Sequence, residues 1–268
     1  MKKIVSAISI ALLAILPLAV QAKVTHLLPK PHEIRETQST PFALGRTVTI
    51  TDATNCVALR NFFTANGCTI DNGGVPVTVT IVSSIDGTYD YTLEGFENEA
   101  YTLTVTTDAI NITAVSPTGV IRAAQTLTQL AEGYNGDAAI ETVEIKDWAA
   151  FKLRGYMHDV GRSFISVAEL KKHIDLLSRF KVNCFHWHFT ENQAWRLEIK
   201  AHKALTSAES MTRFPGKFYT QEECSEVATY AKERGIIIIP EIDMPGHSEA
   251  FERAMGFDMQ TDEGMEVL

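Results

Sequence analysis

Four groups of polar side chains in the second half of the chain have the types and spacing that chemistry requires: Asp159 with Arg162; His186, His188 and Glu191; Asn192, Gln193, Trp195 and Arg196; and Glu241, Asp243 and His247. The forked guanidinium of Arg162 can clamp a hydroxyl-bearing or anionic substrate, or pair with Asp159 three residues earlier. His186 and His188 lie on one face of a strand. An HxH pair so placed can present two imidazoles to a divalent metal, or leave one ring in the core with a local hydrogen bond. Glu241 and Asp243 are two apart on a strand, roughly 7 Å between Cα atoms, a range that suits an acid/base couple for glycosidic cleavage or a salt-bridged layer orienting other groups. His247, behind Pro245 and Gly246, is a candidate proton partner for a carboxylate or a loop-packing ring. Trp187 and Trp195 are candidates for stacking on a sugar or for filling a core.

The elements that must position these groups alternate between strand and helix. "LRGYMHDVGR" reads as a strand with its exit loop, and "KVNCFHWHFTEN" as a second strand. "SVAELKKHIDLLSRF" (166–180) is an amphipathic helix, and "TQEECSEVATYAKERG" (220–235) opens on a capping box of Thr220 and Glu223. "IIIIPEID" is a third strand, apolar on both faces, as expected where helices bury a parallel sheet. With a long loop after the second strand, the order matches the start of a (β/α)8 TIM barrel, whose functional groups gather at strand C-terminal ends. A complete barrel takes about 250 residues. Residues 150–268 therefore either form a smaller open sheet or hold about three βα units of an interrupted barrel, and the tail "EAFERAMGFDMQTDEGMEVL", which promises no firm structure of its own, favours the interrupted barrel.

Upstream the texture differs. Residues 23–149 carry short runs alternating Thr with Val or Ile, at 46–51, 75–82, 99–107, 109–116 and 140–145. Helical stretches at 54–67 and 116–133 interrupt them, which predicts an α+β domain with an antiparallel or mixed sheet. Residues 1–22 have two lysines, an apolar run broken by Pro17 and a small-residue ending at Ala22, the pattern of a cleaved export signal rather than a membrane anchor. The expected location is periplasmic or secreted. Loss of Lys2 and Lys3 takes the formal charge from −9 to about −11, which disfavours nucleic acid as a partner. Cys56 and Cys68 flank one short segment and are the only two of the four cysteines spaced for a disulfide; the bland alternative is free thiols.

"LRGYMHDVGRSF", "KVNCFHWHFTENQAWRLEIK" and "FYTQEECSEVATYAKERGIIIIPEIDMPGH" together resemble the first part of the catalytic barrel of glycoside hydrolase family 20, the β-N-acetylhexosaminidases. "EAYTLTVTTDAINITAVSPTGVIRAAQTLTQL" is similar to the small α+β domain that precedes that barrel. The resemblance implies a glycan substrate ending in N-acetylhexosamine, no cofactor, and substrate-assisted hydrolysis. In that chemistry the 2-acetamido oxygen attacks the anomeric carbon, an Asp orients it and the adjoining Glu protonates the leaving oxygen. By the same resemblance Arg162 holds hydroxyls of the terminal sugar. Glu191, standing where "HWHLTD" usually has Asp, links with His247 to support the catalytic acid, and Asp243 is a further supporting carboxylate. The family's Asp-Glu pair lies on the fourth barrel strand, which is expected beyond Leu268. The only adjacent Asp-Glu here, Asp262-Glu263, follows no apolar strand. The chain is thus expected to be an inactive portion of the enzyme.

Overall fold

The computed structural model describes residues 26–267 except 38, 90–92 and 133–137. The predicted export signal and Leu268, beyond which the Asp-Glu pair is expected, both lie outside the described residues. In the first domain the alternating segments form β1 (Glu33–Glu36), β2 (Phe42–Ala43), β3 (Thr47–Thr51), β4 (Thr69–Ile70), β5 (Val75–Ile81), β6 (Tyr101–Val105), β7 (Ile110–Ala114), β8 (Ala139–Ile140) and β9 (Val143–Asp147). Seven of them make a mixed sheet in the order β1-β9-β6-β7-β5-β3-β4, while β2 and β8 pair separately. The single strand expected at 140–145 is therefore two: Ile140 pairs with Phe42, and Val143 onward enters the sheet between β1 and β6. Period-two alternation places one face of each strand against helices α1 (Val57–Ala65) and α2 (Pro117–Glu132). Leu59, Phe63, Val120 and Leu127 from the helices meet Val48, Val77, Leu103 and Ile112 from the sheet in one buried core. Cys56 and Cys68 are buried free thiols, not a disulfide.

The second half contains β10 (Gly155–Asp159), α3 (Val167–Arg179), β11 (Cys184–His188), β12 (Thr190–Glu191), β13 (Ala194–Trp195), α4 (Gln221–Lys232), β14 (Ile237–Glu241), α5 (Glu249–Met255) and α6 (Asp262–Val267). β10, β11 and β14 form a parallel sheet in that order. Capping boxes start both covering helices, Ser166 with Glu169 on α3 and Thr220 with Glu223 on α4. Leu170, Ile174, Val227 and Ala231 from these helices pack on Phe185 and Trp187. The expected double burial is not found. Ile237 and Ile239 on β14 are 38% and 42% exposed and Met157, two strands away on β10, 52%, because α3 and α4 cover only one face and nothing among the described residues covers the other. The tail also departs from expectation. It forms α5 and α6, since Ala250, Phe251 and Met259 find an apolar seat against Trp195 and Leu205.

Buried charges join the two halves beneath the sheet. Glu99 accepts from Arg122 at 2.6 Å and also pairs with Arg154, the residue before β10. Arg122 further donates to Gly235 O at 2.8 Å, before β14. Asp147 pairs with Lys181 at 2.7 Å, and Lys181 also donates to the Tyr101 hydroxyl at 2.9 Å. The N-terminal ends of all three parallel strands are thereby tied to the first domain. Among the described residues no helix is long and apolar enough to cross a membrane.

Candidate active site

Parallel register sets the site. Asp159, His188 and Glu241 are level with one another at the C-terminal ends of β10, β11 and β14. The chain then turns back, so that β12 brings Glu191 over the same strand ends. Glu191 is 2% exposed and sits at the centre of the arrangement. Its Oε1 lies against Arg162 Nη2, its Oε2 accepts from the Asn192 amide at 2.9 Å, and His247 Nδ1 is 2.9 Å from the same Oε2. Arg162 is 48% exposed and its other arm reaches Asp159 Oδ2 at 2.9 Å, while its amide donates to Asp159 Oδ1. One guanidinium is thus fixed by two carboxylates with an open flank, which suits holding the hydroxyls of a ligand.

His247 arrives from the loop after β14 with φ at +52°, a left-handed conformation uncommon outside glycine, though histidine takes it more readily than most residues. Its Nε2 lies 3.9 Å from Asp243 Oδ2, and the Asp243 amide donates to Thr190 Oγ1 at 2.8 Å, pinning the loop to β12. Glu241 and Asp243 do not face each other as an acid/base couple. Glu241 Oε2 takes His186 Nε2 at 2.5 Å and His188 Nδ1 at 2.6 Å, while Asp243 belongs to His247. Burial works against ionisation of Glu241, but the contact and charge of His188 and the charge of His186 outweigh it and hold the carboxyl below the usual glutamate range. The HxH pair is therefore engaged with one carboxylate.

Asp159, His188 and Glu191 each offer a ligand atom within 4.8 Å of one another, a spacing that could take a cation. The guanidinium of Arg162 already contacts both carboxylates and supplies that positive charge.

The remaining candidates hold the scaffold. Trp187 is in the core between the sheet and helices, tilted against Phe189 with ring centroids 4.4 Å apart, and Trp195 is buried against Phe251 with its Nε1 donating to Leu197 O. Arg196 is fully buried and donates to the carbonyls of Val160, Gly161, Arg213, Phe214 and Lys217, closing the long loop onto the exit of β10. Burial draws its guanidinium down to about 10. Asn192 accepts from the Glu249 amide, and Gln193 O accepts from the Thr212 amide. Asp262 and Glu263 open α6 and end no strand, so they do not stand in for the pair expected beyond Leu268.

Two residues that sequence reasoning passed over matter here. A Cβ on Gly161 would sit 2.6 Å from the Glu191 Cβ, so only glycine lets β12 come this close to the loop after β10. Thr190 holds the Asp243 amide. The glycine is visible in "DVGR", but its reason lies in a neighbour thirty residues on.

This chain is similar to proteins of one kind. "Glycosyl hydrolase family 20, catalytic domain" matches residues 151–265, and "Glycosyl hydrolase family 20, domain 2" matches 24–148. The β-hexosaminidase of Porphyromonas gingivalis is 44% identical over 167 residues, which cover 58% of this chain and 21% of that one. The β-N-acetylhexosaminidase of Cellulomonas fimi is 31% identical over 245 residues, 86% of this chain and 48% of that one. Among solved structures, the exo-β-N-acetylglucosaminidase of Vibrio harveyi in complex with N-acetylglucosamine superposes with a TM-score of 0.73 at 31% identity, over 86% of this chain and 38% of that one. The β-N-acetylhexosaminidase of Bacteroides fragilis gives 0.75 at 28%, over 90% and 52%. The chain thus spans about half or less of the length of these relatives. Both matched segments and the relatives agree: the chain belongs to glycoside hydrolase family 20.

Proposed function

We propose that these residues are the holding and supporting part of an exo-acting β-N-acetylhexosaminidase, the first three βα units of its barrel with the domain that precedes them. The observation that carries this reading is the Arg162–Glu191–His247 arrangement at the strand ends. In it, Arg162 grips hydroxyls of a terminal N-acetylhexosamine through the flank left open by Asp159 and Glu191. His247 stands between Glu191 and Asp243, where it steadies the protonation of a neighbouring acid by passing charge to a buried carboxylate. Hydrolysis proceeds with retention: the substrate's acetamide oxygen closes on the anomeric carbon as the glycosidic C–O bond breaks and an acid protonates the leaving oxygen, and water, giving its proton back to that acid, then attacks the same carbon and reopens the ring. The Asp that orients the acetamide and the Glu that gives the proton are not among these 268 residues. By itself the chain therefore binds without turnover, since the groups that lower the barrier are missing. Residues 1–22 direct export, leaving a mature chain that begins at Lys23, which the intact mass of exported protein would verify.

A chimera tests the reading. Residues 26–267 replace the corresponding segment of the Vibrio harveyi enzyme, which supplies the rest of the barrel. The chimera is expected to release a chromogenic phenol from its N-acetyl-β-glucosaminide, unaffected by a metal chelator, and Arg162→Ala to lower kcat/KM by about 10²–10³-fold. A folded chimera that is inactive, or whose activity a chelator removes, would overturn it.

A further inference from the structure

Six side chains at the strand ends alternate imidazole with carboxylate: His186, Glu241, His188, Glu191, His247 and Asp243. The successive closest contacts are 2.5, 2.6, 3.7, 2.9 and 3.9 Å. The run from Glu191 onward is the support already described. The run before it has had no role assigned, yet it continues directly into the buried carboxylate on which that support depends.

His188 decides the matter. Its ring is buried between two acids, with Nδ1 2.6 Å from Glu241 Oε2 and Nε2 3.7 Å from Glu191 Oε1. It leans toward Glu241, and that leaves Oε1 of Glu191 to Arg162 and Oε2 to His247. We propose that Glu241 is a positioning residue of this site: with His186 as its second hold, it retains His188 and so keeps that ring from competing with Arg162 and His247 for Glu191. This rests on the reading that Glu191 and His247 support the acid. The other charged groups facing the run are Asp159, whose carboxylate is within 4.8 Å of His188 and Glu191 ligand atoms, Arg162, and Asp243 beyond His247. Among the described residues none of them forms an ion pair with Glu241, and none lies as near to His188 as Glu241 does.

The test is ¹⁵N-histidine NMR of the 268-residue chain at pH 7. Glu241→Gln should shift the ¹⁵N resonance of His188 Nδ1 and speed exchange of the His247 Nδ1 proton by about tenfold, as His188 moves onto Glu191. Glu241→Asp, which keeps the charge, should give a smaller change of the same sign. His32, whose Nδ1 meets Asp147 at 3.0 Å in the first domain, reports on general loosening and should not change. A His247 proton unaltered while His188 shifts would overturn the proposal, as would His32 and His247 changing together. Should Glu241→Gln not fold, the same comparison made with Glu241→Asp and His186→Gln decides by the same criteria. Turnover is not read, so failure here leaves the glycosidase reading standing, and an inactive chimera leaves this result intact.

Discussion

The same three parallel strands carry a charged cluster at each end, and the two clusters use the same chemistry for opposite purposes. Below the N-terminal ends, Glu99, Arg122, Arg154, Asp147 and Lys181 are largely buried and bonded to one another across the domain boundary. Above the C-terminal ends, only Glu191 and His188 are buried; Arg162, His247 and Asp243 keep an open side. A set of buried charges bonded to one another carries a large penalty for removing a member. An open set anchored on one buried carboxylate can be shared with a substrate. Burial of nearly every member, rather than residue type, separates the lower cluster from the candidate site.

The largest test of this contrast is Glu99→Ala. It strands Arg122 and Arg154 in the interface and should cost about 3–5 kcal/mol, read as a fall in urea midpoint of the 268-residue chain. Gly161→Ala comes next. The new methyl must push β12 away, at about 1–3 kcal/mol, and unlike Glu99→Ala it should also disturb the upper site, seen as altered His247 resonances. Asp147 gives the lower cluster a pH signature. Burial opposes its ionisation, but the charge and hydrogen bond of Lys181 and the hydrogen bonds of His32 prevail and hold the carboxyl below the usual aspartate range. The native state then binds this proton less tightly than the unfolded chain, so the stabilisation is whole above the ordinary value near 4 and is lost as pH falls through the native one. Urea midpoints should hold steady from pH 7 to about 5 and then drop, with Asp147→Asn lower at pH 7 and flatter below. Smallest is Arg162→Ala. Its half-exposed guanidinium should contribute about 1 kcal/mol or less, because Glu191 keeps the Asn192 amide and His247. A loss there as large as that of Glu99→Ala would erase the distinction between the two clusters.

Much of the upper site was legible because its groups sit at strand ends that periodicity can place. Arg162, Glu191, Asp243 and His247 each follow an apolar run, and parallel strands bring such ends together. What periodicity could not do was assign partners. Glu241 and Asp243 share a strand direction in the sequence, yet one turns to the HxH pair and the other to His247, since pairing depends on register between segments fifty residues apart. Arg196 looked like a site residue and is a buried loop anchor, for its partners are carbonyls, which carry no mark in a sequence. The lower cluster escaped notice for a related reason: Arg122 and Asp147 lie in α2 and β9, whose own patterns are those of an ordinary helix and strand, while Glu99 and Lys181 lie in the connections before β6 and after α3. The exposed face of β14 shows the reverse limit. Apolar content reports what a strand is suited to, and Ile237 and Ile239 are suited to a layer that the described residues do not supply.

The central claim is that this chain holds and supports a reaction it does not itself carry through. Incubating the purified 268-residue protein with a chromogenic N-acetyl-β-glucosaminide measures that directly. The account predicts no release above the rate in buffer; release above that rate which disappears in Arg162→Ala would contradict it.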